Sequence, residues 1–244
     1  MATQLAGPVQ ITGADILSNS ATQLMPLGAY AETVDGRGFR YCKVGDTATV
    51  AGKVYQSSAL DATNAQPSGG LGVNAAVAIG GTEITTSTST TWTVNQFAGG
   101  YLSVNVTPGQ GYLYRIKSNT ATAGAVGGVI VLEDPLLVAL TTSSKFIVVK
   151  HPYDSVVIEP GTPTGKIVGV APRVLTAEYY GWLQTKGACS VLFTGTGAAG
   201  KVVGSLTGGT SGSMAPAIAA TNIGGEHLAT GITGEYALVY LSID

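Results

Sequence analysis

The 244-residue sequence predicts an all-β fold, a Gly/Thr-rich sandwich or barrel with at most one or two short helical turns, and three observations carry that expectation. Charged residues make up only 11% of the chain, against roughly 25% in ordinary soluble domains. Amphipathic surface helices need Lys, Glu and Arg on their solvent face, so few such helices can be written here. The 35 glycines and 10 prolines, with abundant Thr and Ser, supply frequent turn signals. Between the turns lie short β-branched and aromatic runs. The length suffices for one large β domain or two smaller ones.

Taken in order, residues 1–30 show no helical or strand period and contain Gly7-Pro8 and Met25-Pro26, which predicts an extended N-terminal arm. Residues 31–244 form the β-rich body. "GFRYCKVG" (38–45) and "ATVAGKVYQ" (48–56) read as two strands around Gly45-Asp46. Residues 59–72 read as a loop and 83–95 as a Thr-rich hairpin. In "GYLYRIKS" (111–118) Tyr112, Tyr114 and Ile116 alternate with Leu113, Arg115 and Lys117, the period of a half-buried strand. "GGVIVLED" (127–134) reads as a buried strand, and 144–160 as two strands broken at His151-Pro152, where proline cannot donate to a ladder. "GKIVGVAP" (165–172) follows as a strand, then a helical turn capped by Thr176 with Glu178 in its first turn. "WLQTKGACSVLF" resumes as strand, 204–225 reads as a loop, and "GEYALVYLSID" (234–244) closes the sheet.

The net charge is −2, with no Lys/Arg cluster to neutralise phosphates, so nucleic acid is not expected as a partner. Mean hydropathy is positive, yet the longest run without a polar side chain, "AGAVGGVIVL" (123–132), is about half of what a spanning helix needs. No membrane partner is expected. The N-terminus lacks the basic start and apolar run of a signal peptide, which predicts folding in the cytoplasm. Cys42 and Cys189 lie far apart with no C-x-x-C, and read as two core-filling thiols rather than a metal or redox pair.

One stretch invites a nucleotide. In "CSVLFTGTGAAGKVVGS" (189–205), Gly195, Gly197 and Gly200 spell G-x-G-x-x-G, and Gly195, Gly200 and Lys201 fit a truncated phosphate loop. Val202 stands where the magnesium-binding hydroxyl belongs, and the β-branched, Gly-rich "VVGSLTGGTSGS" cannot sustain the helix whose amides would face a phosphate. A surface hairpin or bulge is the expected reading, with no cofactor. Nothing else converges on chemistry. His151 and His227 sit beside no recognisable nucleophile, and no G-x-S-x-G occurs. Glu133 and Asp134 are adjacent, so their side chains diverge. Tyr112, Tyr114, Tyr236 and Tyr240 could line a sugar groove, but packing between sheets is the expectation. The sequence thus predicts no enzyme, no metal and no small-molecule substrate.

The segments "GRGFRYCKVGDTATVAG" (36–52), "GGYLSVN" (99–105), "GQGYLYRIKSN" (109–119), "EDPLLVALTTSSKFIVVKHPYDSVVI" (133–158), "VLTAEYYGWLQTKGACSVL" (174–192) and "YALVYLSID" (236–244) resemble those of decoration, or cement, proteins of tailed bacteriophage heads. The resemblance covers about half the chain. It implies a virion protein on the outer capsid surface, binding the major capsid protein and commonly a homotrimer, with a β-tulip-like fold as one option. Segments 59–98 and 194–228 fall outside it and would form an outer lobe. In the arm, Leu5, Val9, Ile11, Ile16, Leu17, Leu24, Met25 and Leu27 are the candidate capsid contacts, because apolar side chains without a period suit an ordered home on a neighbour. The rival readings are a tail-fibre or adhesive virion protein, for which a fixed repeat is missing, a major capsid protein, for which a long spine helix is missing, and a β-sandwich hydrolase, for which a convergent acid/base pair is missing.

Overall fold

The computed structural model describes residues 9–60, 70–86, 91–122, 127–205, 208–217 and 222–244, the side chains of 222 and 223 excepted. The fold is all-β with almost no helix. The elements are β1 (Val9–Gln10), α1 (Gly13–Ile16), β2 (Tyr30–Glu32), β3 (Gly38–Lys43), β4 (Val54–Gln56), β5 (Leu71–Gly72), β6 (Glu83–Thr85), β7 (Tyr101–Val106), β8 (Leu113–Asn119) and β9 (Val129–Leu132). They continue with β10 (Lys145–Val149), β11 (Val157–Ile158), β12 (Ile167–Val170), β13 (Tyr180–Leu192), β14 (Val202–Ser205), β15 (Ala215–Pro216), β16 (Asn222–His227) and β17 (Tyr236–Ser242).

The chain divides into two compact units, one of residues 1–59 and 152–244, the other of residues 60–151. Residues 60–98 lie with 99–151 in the second unit, while 194–228 belongs to the first. The second unit is inserted between β4 and β11, which pair antiparallel with Val157 opposite Gln56. Its return point is the His151-Pro152 break that the sequence marks.

In the second unit the strands run β5-β10-β7-β8-β9-β6. Alternation is clean in β8, where Tyr114 and Ile116 are buried and Leu113 and Lys117 are exposed. Fifteen buried residues, among them Phe97, Leu102, Ile116, Ile130 and Phe146, form one core. The expected 83–95 hairpin is not formed. β6 pairs with β9 and Trp92 bridges to Thr122, so each half finds a different partner; 87–90 lie outside the described residues.

The first unit is organised on β13. That 13-residue strand pairs with β3 along its first half and with β17 along its second, and the path continues through β16 and β14 to β15. The expected hairpin of 38–45 with 48–56 is absent. The Gly45 amide donates to the Val156 carbonyl and its carbonyl accepts from the Glu178 amide (both 2.9 Å), which turns the chain toward other partners. The expected helical cap at Thr176 is a turn instead, with Glu178 in the left-handed region at φ +62° and its carboxylate 2.6 Å from Lys43 Nζ. The helix that does form is α1, whose Thr12 and Asp15 make a capping box. The expected loops hold short strands: β5 ends 59–72, and β14, β15 and β16 lie within or overlap 204–225. Glycine and alanine there carry no period to read.

Candidate functional site

The arm residues come first. β1 pairs parallel with β2, and Ile11 and Ile16 are buried with Ala31, Phe39, Tyr41 and Trp182, with Met25 and Leu27 packed against them. Reciprocal bonds between Ser20 and Tyr180, and between Asn19 and Thr176, tie the segment down. Residues 9–30 are therefore not an extended arm. They use their apolar side chains within their own chain, because the capped turn at Thr12 aims Ile16 inward. Val9, Leu17 and Leu24 remain at the surface, and Leu5 lies outside the described residues. The T-x-x-D signature of that cap is legible in "TGAD".

The broad apolar surface lies on β17. Ala237, Val239 and Leu241 are buried, while Tyr236, Leu238 and Tyr240 on the opposite face are 51, 46 and 46% exposed. Tyr236 and Tyr240 thus do not pack between sheets as expected, since the inward row belongs to their neighbours. Tyr114 is buried, and Tyr112 stacks on it from the surface at 6.3 Å. Small residues flank the β17 row on β13, with Ser190 opposite Leu238 and Ala188 opposite Tyr240. On its other side exposed Leu228 lies just beyond β16, while exposed Glu226 stands opposite Tyr240 and separates it from Val202 on β14.

Beside β13 lies a trough of about 430 Å³, lined by Arg37, Ala51, Gly52, Ala171, Pro172, Gln184, Ala188, Cys189, Ser190 and Tyr236. Gly52 is fixed there twice over: its φ is +72°, and a Cβ would stand 2.5 Å from the Tyr236 ring. Cys189 and Cys42 are buried core thiols, each pushed up to about 12 by burial, and so are not nucleophiles at neutral pH.

The Gly195–Lys201 stretch carries the chain from β13 to β14, which are separated in the sheet by β17 and β16. It is a connection between non-adjacent strands and not the expected hairpin or bulge, and no helix follows it. Its glycines have packing reasons. A Cβ at Gly197 would overlap the His227 imidazole, and Gly200 has φ +73° while its amide bonds the His227 carbonyl at 2.8 Å. His227 itself is only 2% exposed and edge-on to Phe193 at 4.6 Å, with the Ala229 backbone as a polar neighbour. Burial pushes its pKa below the ordinary histidine value. Glu159 is likewise buried with Oε1 unpartnered, and burial pushes its carboxyl up.

His151 is buried and stacks on Tyr101, while Glu133 pairs with Arg115 at 3.2 Å. Among the described residues no group of three His, Cys, Asp or Glu is placed to hold a metal ion, and no helix is long and apolar enough to cross a membrane. No family model, no curated protein and no solved structure matches this chain.

Proposed function

We propose that this protein is a capsid decoration protein, a non-enzymatic structural component that binds the outside of a tailed-phage head and cements contacts between major capsid protein subunits. The observation that carries the reading is the β17 face: three large side chains in a row, each about half exposed, flanked by Leu228 and bounded by Glu226. An exposed row of large apolar and aromatic side chains of this kind marks an interaction site, and a flat sheet face suits a broad protein partner better than a small ligand. The segment resemblances support the same reading. The contact surface is thereby moved from the N-terminal segment to the β body, with Val9, Leu17 and Leu24 as peripheral contributors. Self-association as a trimer and assembly in the host cytoplasm belong to the proposal.

Mass spectrometry of intact virions tests it directly: the protein should occur at a stoichiometry near that of the shell protein. Undecorated heads should take up the intact protein, and Leu238→Glu should lower that affinity by at least tenfold while leaving the fold intact. Absence from virions, or uptake unchanged by Leu238→Glu, overturns the assignment.

A further inference from the structure

The trough beside β13 contains a gap in the hydrogen-bonding of the sheet. β3 pairs with β13 only as far as Lys186, and beyond it that edge is closed by irregular pieces. The Leu192 amide donates to the Gly52 carbonyl at 2.8 Å, and the Leu192 carbonyl accepts from the Met214 amide at 2.9 Å. Gln184 Nε2 donates to the carbonyls of Lys186 and Ala188 at 3.0 and 2.8 Å, standing where the amides of a neighbouring strand would stand.

Ala188 and Ser190 face the same way, and the Ala188 carbonyl is the one group of the two residues that Gln184 Nε2 holds, so an added strand would displace that side-chain amide. In an antiparallel ladder a residue turns its amide and carbonyl to one side, and neighbours alternate. Leu238 turns its carbonyl to Leu228, so Ser190 opposite it turns away from β17, toward the trough, as Leu192 does. Among the described residues neither the Ser190 amide nor the Ala188 amide has a backbone partner on that side. Two strand amides therefore point into a cleft of about 430 Å³, within the range of ligand clefts.

We propose that this trough binds an extended polypeptide segment, added as a short antiparallel strand whose carbonyls accept from Ser190 and Ala188. The wall chemistry specifies the side chains. The residue opposite Ser190 lies on the outer face beside Tyr236 and Leu238, and is apolar. The next points inward at Cys189 and is small. The one after lies opposite Ala188 at the Arg37 end, where Arg37 bonds Asp35 through Nε (2.8 Å) and its guanidinium lies over the Phe39 ring, so a carboxylate fits at its remaining nitrogens. The recognised pattern is apolar-small-acidic. The proposal is independent of the capsid reading, since it asks only for an extended segment.

The test is NMR titration of the full-length protein with a capped heptapeptide carrying leucine, serine and aspartate in sequence at its centre. Binding should move the Ser190 and Ala188 amide protons downfield and slow their exchange with solvent. Replacing aspartate by asparagine in the peptide, or Arg37→Gln in the protein, should weaken binding severalfold, and Ser190→Pro should abolish it. Should Ser190→Pro fail to fold, the exchange rates of the unaltered protein decide the matter. Unmoved Ser190 and Ala188 amides at millimolar peptide overturn the proposal. So does a shift that depends on protein concentration without peptide, which would assign the trough to a second copy of the chain.

Discussion

The two units solve the same problem with different chain economy. The second unit closes its core within one continuous stretch, and its strands pair mostly with near neighbours. The first is assembled from the two ends of the sequence: Trp182 in β13 faces Tyr41 in β3, and Cys189 faces Val239 in β17. Its buried side chains fall into three clusters rather than one. A local core can form as soon as its own segment is present. A non-local one must first close the loop of residues 60–151, at an entropic cost that grows only slowly with loop length but delays pairing. The insertion point limits that delay, because β4 and β11 are paired strands on either side of it.

The largest effect separating the two is autonomy. Residues 60–151 produced alone should fold cooperatively, because all fifteen residues of that core lie within the segment. Replacing the same segment by a short Gly/Ser turn should leave the first unit folded. Calorimetry reads both outcomes, and a fragment without a cooperative transition would break the comparison.

Next in size is a core truncation. Phe146 and Phe193 are both fully buried, in the second and first unit respectively. Phe146→Ala should cost about 3–5 kcal/mol, and Phe193→Ala a similar amount. Each should lower only the transition of its own unit. A single shared transition, displaced equally by both, would show that the units do not melt as separate bodies.

The same contrast decides what could be read beforehand. In the second unit β8 alternates in the sequence as it alternates in space, so Tyr114 and Ile116 are legible as core, whereas β9, the unbroken apolar run VIVL, is legible as a buried strand but not by face. In the first unit the periodic signal exists but its sign is ambiguous. "YALVYLS" offers two rows, and the tyrosine row looks the more suited to burial, yet Ala237, Val239 and Leu241 face inward. Pairing across the chain, which no local pattern encodes, makes that choice. The trough was illegible for the same reason: Arg37, Gly52, Gln184 and Tyr236 meet only through β13. In the N-terminal segment the apolar side chains have no period, and the burial of Ile16 follows from the capping box that precedes it.

A smaller effect tests the glycines around His227. Gly197→Ala puts a methyl group where the imidazole sits, and overpacking of this kind costs about 1–3 kcal/mol. The first unit's melting temperature should fall while the second unit's stays in place. Gly200→Ala, open to solvent but held at φ +73°, should cost less, about 1 kcal/mol. Equal losses at the two positions would mean that the imidazole yields to the added methyl group instead of clashing with it.

The smallest expected effect is acid sensitivity, confined to the first unit. Burial holds the folded-state pKa of His227 below its ordinary value near 6.5, so over the intervening pH range the unfolded chain binds a proton that the folded chain does not. The neutral ring's contribution is therefore complete above about pH 6.5 and is lost progressively as pH falls toward the folded pKa. Glu159 acts with the opposite sign. Burial raises its folded-state pKa above the ordinary value near 4.5, so its contribution is present below that value and is lost as pH rises through the folded pKa. On acidification from neutrality, Glu159 gains stability as the pH passes down through its raised pKa, while His227 loses it below 6.5. His227→Phe separates the two, because phenylalanine keeps the edge-on contact with Phe193 and carries no titratable nitrogen. Thermal scans between pH 7 and 5 should show the first unit's transition losing a histidine-dependent component in the unaltered protein that is missing in His227→Phe. Identical pH profiles for the two proteins would mean that the buried imidazole finds a proton-accepting partner in the folded state, and that its burial has no linkage to stability.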